Sequence, residues 1–212
     1  MRYRVLIVDD QTVSRQLFER IIRDSDRYET AASIDSAGMA DAYCAREKID
    51  LVLMDIVMKD GSDGLEAAAH IRKSYPNIRI LMVTSMFDAA LLKTAREAGA
   101  DSFWYKEVQD RPMLEVMDRT MAGERVWPDE APVTPIGNAA SSELTEREID
   151  VLRCLAEGLS DRECAEKLVV SVAAVRYHIG NLFEKTGFSS RTELVVAAVR
   201  SGLIIPGGKR WN

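Results

Sequence analysis

Leu51-Val52-Leu53-Met54-Asp55 is a run of four apolar residues that stops on a carboxylate. Without polar alternation it predicts a strand covered on both faces, as inside a parallel sheet. Three other runs end in a comparable way. Val5-Leu6-Ile7-Val8 stops on Asp9-Asp10, Ile78 to Val83 on Thr84-Ser85, and Ser102-Phe103-Trp104-Tyr105 on Lys106. The carboxyl ends of the strands of an open parallel sheet share one edge, and ligands bind there. Three carboxylates, a hydroxyl and an ammonium are therefore expected in one shallow cleft.

Strand-like runs alternate with helical patterns five times between Arg2 and about Glu124. After the first strand, Val13, Leu17, Phe18, Ile21 and Ile22 fall on one helical face. A second strand is expected over Tyr28–Ile34 and a helix over Ser36–Glu47. The Asp55 strand leads through Asp60-Gly61-Ser62-Asp63-Gly64 to a helix that ends before Pro76; further helices are expected over Asp88–Ala98 and Asp110–Ala122. Five such units predict an α/β fold, a doubly wound five-stranded parallel sheet. From Trp127 to Ser141 the chain holds Pro128, Pro132, Pro135 and Gly137 without an apolar period, the composition of a semi-extended linker.

A purely helical segment follows. Thr145 to Glu148, Ser160 to Glu163 and Ser190 to Glu193 each fit the capping box, in which a hydroxyl accepts from the first turn and a Glu reaches back. A fourth helix opens at Ser171 without a returning Glu. Its apolar stripe is Val172, Val175, Ile179, Leu182 and Phe183, with Arg176, Tyr177, Gly180, Asn181 and Lys185 largely off it. The organisation expected is a first domain over 1–124, a linker over 125–141, a small all-α domain over 142–205 and a tail over 206–212.

At 212 residues the chain is comfortable for two domains. Its net charge of −6 is uneven: from Ser142 onward ten basic residues balance ten acidic ones, so the whole excess lies before. Two modules with different partners are implied. Asp9 and Asp10 after so short an apolar run argue against a signal peptide, and no run reaches the roughly 18 apolar residues of a membrane span. Cys44, Cys154 and Cys164 are odd in number and far apart, which suits reduced thiols in a cytoplasmic protein. With only His70 and His178 to join them, a zinc site is not expected.

Asp9, Asp10 and Asp55 offer hard oxygen ligands of the kind Mg²⁺ takes, and a cation makes their joint ionisation tolerable. A carboxylate so placed can act as a nucleophile toward phosphorus. The Lys106 ammonium and the Thr84 hydroxyl can then meet the phosphoryl oxygens. Asp55 is the preferred nucleophile because it ends the most apolar run.

These residues resemble the receiver domain of two-component response regulators, with a flavodoxin-like fold. The match runs through Asp9-Asp10, Asp55, Asp63-Gly64-Leu65-Glu66, Thr84-Ser85 and Lys106. The resemblance implies that Asp55 accepts a phosphoryl group from a sensor histidine kinase. It further implies that Asp10, Asp55 and the Val57 carbonyl hold Mg²⁺ with Asp9 nearby, and that Thr84 and Phe103 form the switch pair. The chain departs from the pattern in Lys59 where a proline is usual, in a loop to Gly64 one residue longer, and in Glu107 after the lysine. These departures bear on metal geometry and kinase docking. Val57 and Met86 put apolar side chains at positions where receivers often carry polar ones that admit water, which predicts a long-lived phosphoryl group.

Residues 142–201 resemble the LuxR-type helix-turn-helix of the NarL/FixJ regulators. The match includes Leu144-Thr145, Arg147-Glu148, Val151-Leu152, Gly158, Ser160, Ala165, Leu168, Ser171, Val175, His178, Asn181, Lys185, Gly187 and Ser190-Arg191. The resemblance makes Ser171–Lys185 the recognition helix in the major groove of promoter DNA. Arg176 is expected at a guanine edge or a phosphate, Tyr177 at a sugar or thymine methyl, and Asn181, Lys185, Lys167 and the Ser190-Arg191 helix start at phosphates. The module's neutral charge predicts weak, salt-sensitive binding by a monomer. Leu194 to Val199 is apolar nearly all round, which suggests a homodimer through that helix.

The expected protein is thus a cytoplasmic transcription regulator, not a turnover enzyme. Haloacid-dehalogenase-like phosphatases need a second aspartate two residues after the nucleophile; here that position is Val57. A closer alternative is a DNA-binding regulator with a degenerate receiver that works without phosphorylation.

Overall fold

The computed structural model describes residues 2–106 and 112–205. Glu107, the expected helix start at Asp110 and the tail 206–212 lie outside the described residues. The chain divides into two compact units, one drawn from residues up to Asp129, the other from Glu130 onward together with Met86–Ala89.

The first unit is a five-stranded parallel sheet in the order β2-β1-β3-β4-β5, formed by β1 (Tyr3–Val8), β2 (Tyr28–Ile34), β3 (Leu51–Asp55), β4 (Arg79–Thr84) and β5 (Ser102–Tyr105). Central β3 is buried at every residue, as expected of a strand covered on both faces. Helices α1 (Thr12–Arg23), α2 (Ala40–Arg46), α3 (Gly64–Ser74), α4 (Ala90–Glu97) and α5 (Met113–Met121) alternate with the strands. On one face Val5, Ile7, Leu51, Leu53, Leu81 and Val83 meet Phe18, Ile22, Val116 and Met117 of α1 and α5. Because β1 neighbours both β2 and β3, the strand order reverses between β1 and β3. Asp9 and Asp55 flank that switch point.

Two local expectations need correction. Phe18 and Ile22 are buried, but Val13 of the same face is 79% exposed and Leu17 is also exposed. Only the part of α1 that crosses the sheet finds a covering layer. The segment ahead of α2 is also not one helix, because a 3-10 turn over Ala37–Met39 precedes it.

The second unit holds α6 (Glu146–Ala156), α7 (Asp161–Leu168), α8 (Val172–Thr186) and α9 (Arg191–Arg200) around a core that includes Leu152, Val175, Leu182 and Leu194. The linker expectation is corrected at its end. β6 (Pro135–Ile136) and β7 (Ala139–Ala140) form a hairpin whose Ile136 and Ala139 enter this core. Gly137, with φ +61°, is the first residue of the two-residue loop, where a glycine is favoured. The boxes at Thr145 and Ser160 close in both directions. At Ser190 only the hydroxyl half forms: it accepts from Glu193 N, while the Glu193 carboxylate turns to Ser189.

Val169, between α7 and α8, holds a left-handed conformation (φ +56°, ψ +49°) and is 89% exposed. A β-branched residue there carries backbone strain without packing to offset it. Val169→Gly is expected to stabilise the unit by about 1 kcal/mol, after the extra freedom of glycine in the unfolded chain is subtracted. A higher urea midpoint at unchanged slope would show this; a lower midpoint would contradict it.

Candidate phosphoacceptor and DNA-binding sites

The strand ends do converge. Lys106 Nζ lies 2.6 Å from Asp9 Oδ2 and 2.6 Å from Asp55 Oδ2, so one ammonium bridges carboxylates from two strands. Asp9 is 1% and Asp55 3% exposed, and the Lys106 side chain is buried with them. Burial pushes the Asp55 carboxyl up to about 6; Lys106 pulls it back down and Asp9 adds to the rise. The backbone holds both acids in place: Gln11 N donates to Asp9 Oδ1 at 2.8 Å and Ile56 N to Asp55 Oδ1 at 2.7 Å. Thr84 is fully buried at the end of β4, and its carbonyl accepts from Lys106 N at 2.8 Å.

Asp9, Asp10 and Asp55 can each offer one oxygen, all within 4.8 Å of one another. Asp9 Oδ2 is buried, with the Lys106 ammonium against it at 2.6 Å. That set of three hard carboxylate oxygens fits Mg²⁺. The unusual Lys59 is seated at the same place. Its N–H donates to Asp10 Oδ2 at 2.6 Å, and its ammonium lies 3.8 Å from that oxygen.

Gly64 opens α3 behind the acceptor. A Cβ there would stand 1.8 Å from the Asp55 carbonyl oxygen and 2.8 Å from its carbonyl carbon, so only glycine lets the helix start so close to the end of β3. Asp63 caps α3, its Oδ1 accepting from Leu65 N at 2.8 Å and Glu66 N at 3.2 Å, and pairs with Val57 in an isolated bridge. The motif was visible in the sequence; this steric reason for its glycine was not.

Phe103, of the expected switch pair, is buried. Its ring meets Tyr105 at 5.0 Å and Trp127 at 5.9 Å between centroids, and Arg96 of α4 lies 4.7 Å over the Trp127 ring.

In the second unit, α8 exposes Ala173, Arg176, Tyr177, Gly180 and Glu184, one face at helical spacing. Of the residues expected at DNA, Arg176 and Tyr177 lie on it, and Arg191 is exposed at the start of α9. The Ser171 hydroxyl caps α8, accepting from Ala174 N at 3.1 Å, and Asn181 is half-buried. Both lysines are engaged within the unit. Lys167 pairs with Glu157, and Lys185 donates to Glu148 Oε2 at 2.7 Å and to the Glu143 carbonyl at 2.9 Å. The carboxylates that hold them went unnoticed in the sequence, where Glu148 read only as a capping residue.

A Lys-bridged pair of buried acids at the switch point of a five-stranded parallel sheet is the arrangement of a receiver domain, and the second unit is a helix-turn-helix. Comparisons with known proteins agree. The response regulator receiver domain model matches residues 5–118, and that of bacterial regulatory proteins of the luxR family matches 142–198. Response regulator protein VraR of Staphylococcus aureus is 31% identical over 209 residues, covering 96% of this chain and all of VraR. A LuxR-family two-component response regulator from Aurantimonas is 29% identical, with TM-score 0.56 over 59% of this chain and 89% of its own. RcsB of Salmonella enterica serovar Typhimurium, in a structure bound to promoter DNA, shares the fold at 16% identity and TM-score 0.62, over 96% of this chain and all of RcsB. The chain belongs to the response regulators with a luxR-type DNA-binding domain, a family of transcription factors.

Two outcomes test these sites. Gly64→Ala must shift α3 or the Asp55 carbonyl, so it should slow phosphoryl uptake from a small donor by about tenfold or more; an unchanged rate would deny the close approach its importance. Burial raises the Glu148 carboxyl, but the bonds from Lys185 and Thr145 outweigh that and hold it below its ordinary value of 4.5. Its stabilising contribution is therefore complete above that value and is lost as pH falls through the depressed folded one. The melting temperature of the second unit should drop as pH falls below 4.5, and Glu148→Gln should cost about 1–2 kcal/mol at neutral pH and flatten the drop.

Proposed function

We propose that Asp55 accepts a phosphoryl group from the phosphohistidine of a sensor kinase and that this controls promoter binding by α8. The convergence of Asp9, Asp55 and Lys106 on one buried point carries the proposal. An Asp55 oxygen attacks phosphorus, the P–N bond breaks, and its electron pair leaves with the imidazole. Asp9, Asp10, Asp55 and the Val57 carbonyl would hold Mg²⁺, which neutralises phosphoryl charge when bound. Lys106 then exchanges its carboxylate partner for a phosphoryl oxygen, and the Thr84 hydroxyl donates to another. Residues 1–124 act as the receiver and 142–205, with the 135–140 hairpin packed on them, as the DNA-binding domain, which leaves the stretch between Glu124 and Pro135 as the linker.

Rearrangement of Thr84 and Phe103 would favour one of two arrangements of the last strands and helices. Paired copies, with α9 as the proposed contact, would set two α8 helices on adjacent half-sites; Val196 is its exposed large apolar residue. The RcsB complex supports promoter binding by this fold. Arg176, Tyr177 and Arg191 are the proposed direct DNA contacts, with Ser171 and Asn181 beside them. Lys167 and Lys185 reach phosphates only by leaving their carboxylates.

Incubation with a small phosphodonor and Mg²⁺ should add the mass of one phosphoryl group to the wild-type chain and none to Asp55→Ala. Promoter affinity should change only in the former. Absence of any mass gain would favour a regulator that works without phosphorylation. If Val57 and Met86 take the flanking positions that the resemblance implies, the adduct should survive for minutes or longer; loss within seconds would contradict that.

A further inference from the structure

Asp161 is the first residue of α7, directly after the Ser160 cap. Its carboxylate is only 15% exposed, and two exposed arginines close on it from different helices. Arg176 of α8 donates from Nε to Asp161 Oδ2 at 3.0 Å. Arg191, the first residue of α9, brings Nη2 to 2.7 Å from Asp161 Oδ1. One acid thus ties together three helices at the edge of the exposed α8 face. The pair of arginines keeps that acid ionised, holding its carboxyl below the ordinary range.

We propose that Asp161 is a positioning residue for DNA recognition: it fixes the Arg176 guanidinium by its Nε edge and leaves both terminal nitrogens for a guanine edge, while it holds Arg191 for the adjoining phosphate. The inference rests on the placement of Arg176 and Arg191 at DNA proposed above. A free arginine has many rotamers, and ordering it at the moment of binding weakens the complex. An arginine already clamped at Nε loses less on binding, and its fork meets a guanine in one orientation only. A carboxylate beside phosphates also repels them, so Asp161 lowers affinity for DNA of every sequence. That repulsion is common to both kinds of duplex and cancels in their ratio, so discrimination comes from the clamp, which favours specific binding alone. A mere capping acid would affect both kinds of binding alike, through the stability of α7.

The test uses the full-length chain treated with phosphodonor. Sequences are enriched from a random duplex library, and affinities for the enriched duplex and a scrambled one are compared. Asp161→Ala should reduce the ratio of the two by about tenfold, with affinity for the scrambled duplex unchanged or higher. Asp161→Asn, which retains an acceptor without the charge, should fall between. The double variant with Arg176→Ala should discriminate no worse than Arg176→Ala alone, because both remove one recognition unit. An unchanged ratio in Asp161→Ala, or losses that add in full, would overturn the assignment, and equal weakening toward both duplexes with a lower melting temperature would reduce Asp161 to a cap. If the wild-type chain enriches no sequence, the DNA-reading role of α8 fails and takes this inference with it.

Discussion

One ammonium between two buried carboxylates is the interaction on which the first unit depends. Removing ionised acids from water costs several kcal/mol each, and an acid pair at close range adds repulsion. Lys106 offsets both costs for Asp9 and Asp55, and still leaves Asp55 with a carboxyl shifted up to about 6. The geometry survives because each partner ends a strand held by neighbours: β1 and β3 pair directly, β3 pairs with β4, and β4 with β5. A shift of one residue in any of these pairings would turn a functional side chain to the other face. The continuous apolar burial of the inner strands therefore sets the position of the acids as well as the stability of the sheet.

The second unit meets the opposite problem. From Ser142 onward it carries no net charge, so general attraction to a polyanion is weak, and much of its positive charge is committed internally. Lys167 and Lys185 lie on carboxylates, and Arg153 donates to Asp150 at 3.0 Å. What reaches solvent on α8 is a narrow face around Arg176 and Tyr177, with Gly180 leaving open space beside it. Binding by such a face must draw on few, well-oriented contacts or on two copies acting together.

The inner strands were legible because burial on both faces removes alternation, and the strand ends because a charge cannot continue such a run. The edge strand over Tyr28–Ile34 also falls where its composition puts it. What stayed hidden depends on contacts between distant residues. Val13 and Leu17 have the right spacing for a core but lie where no layer covers α1. Pro135 to Ala140 has no period to read, because each strand of its hairpin is two residues long and only Ile136 and Ala139 reach the core. Ser190 has the same signature as Thr145 and Ser160, yet its Glu193 found Ser189 instead. Among the site residues, Asp9, Asp10, Asp55 and Lys106 were legible as a chemical set, whereas Lys59 on Asp10 and Asp161 between two arginines were not. Ion pairs across long loops leave no periodic trace.

The segment that follows α5 shows how the acceptor site and the linker share one piece of structure. An edge strand such as β5 exposes unpaired backbone groups on its outer side. Here Phe103 N donates to the Val126 carbonyl at 2.9 Å, and Val126 N donates to Ser102 Oγ at 3.0 Å, so the chain leaving α5 covers that edge. Trp127 is thereby laid against Phe103, with the Arg96 guanidinium 4.7 Å over the Trp127 ring. Packed rings of this size do not deform independently; when one changes rotamer, its neighbours must move or a void opens. Under the proposed function, a Phe103 that rotates as Thr84 moves toward phosphate cannot do so without disturbing Trp127, which lies in the segment leading to the second unit. The proposed switch residue Phe103 and the linker residue Trp127 then belong to one packed set of side chains within the first unit.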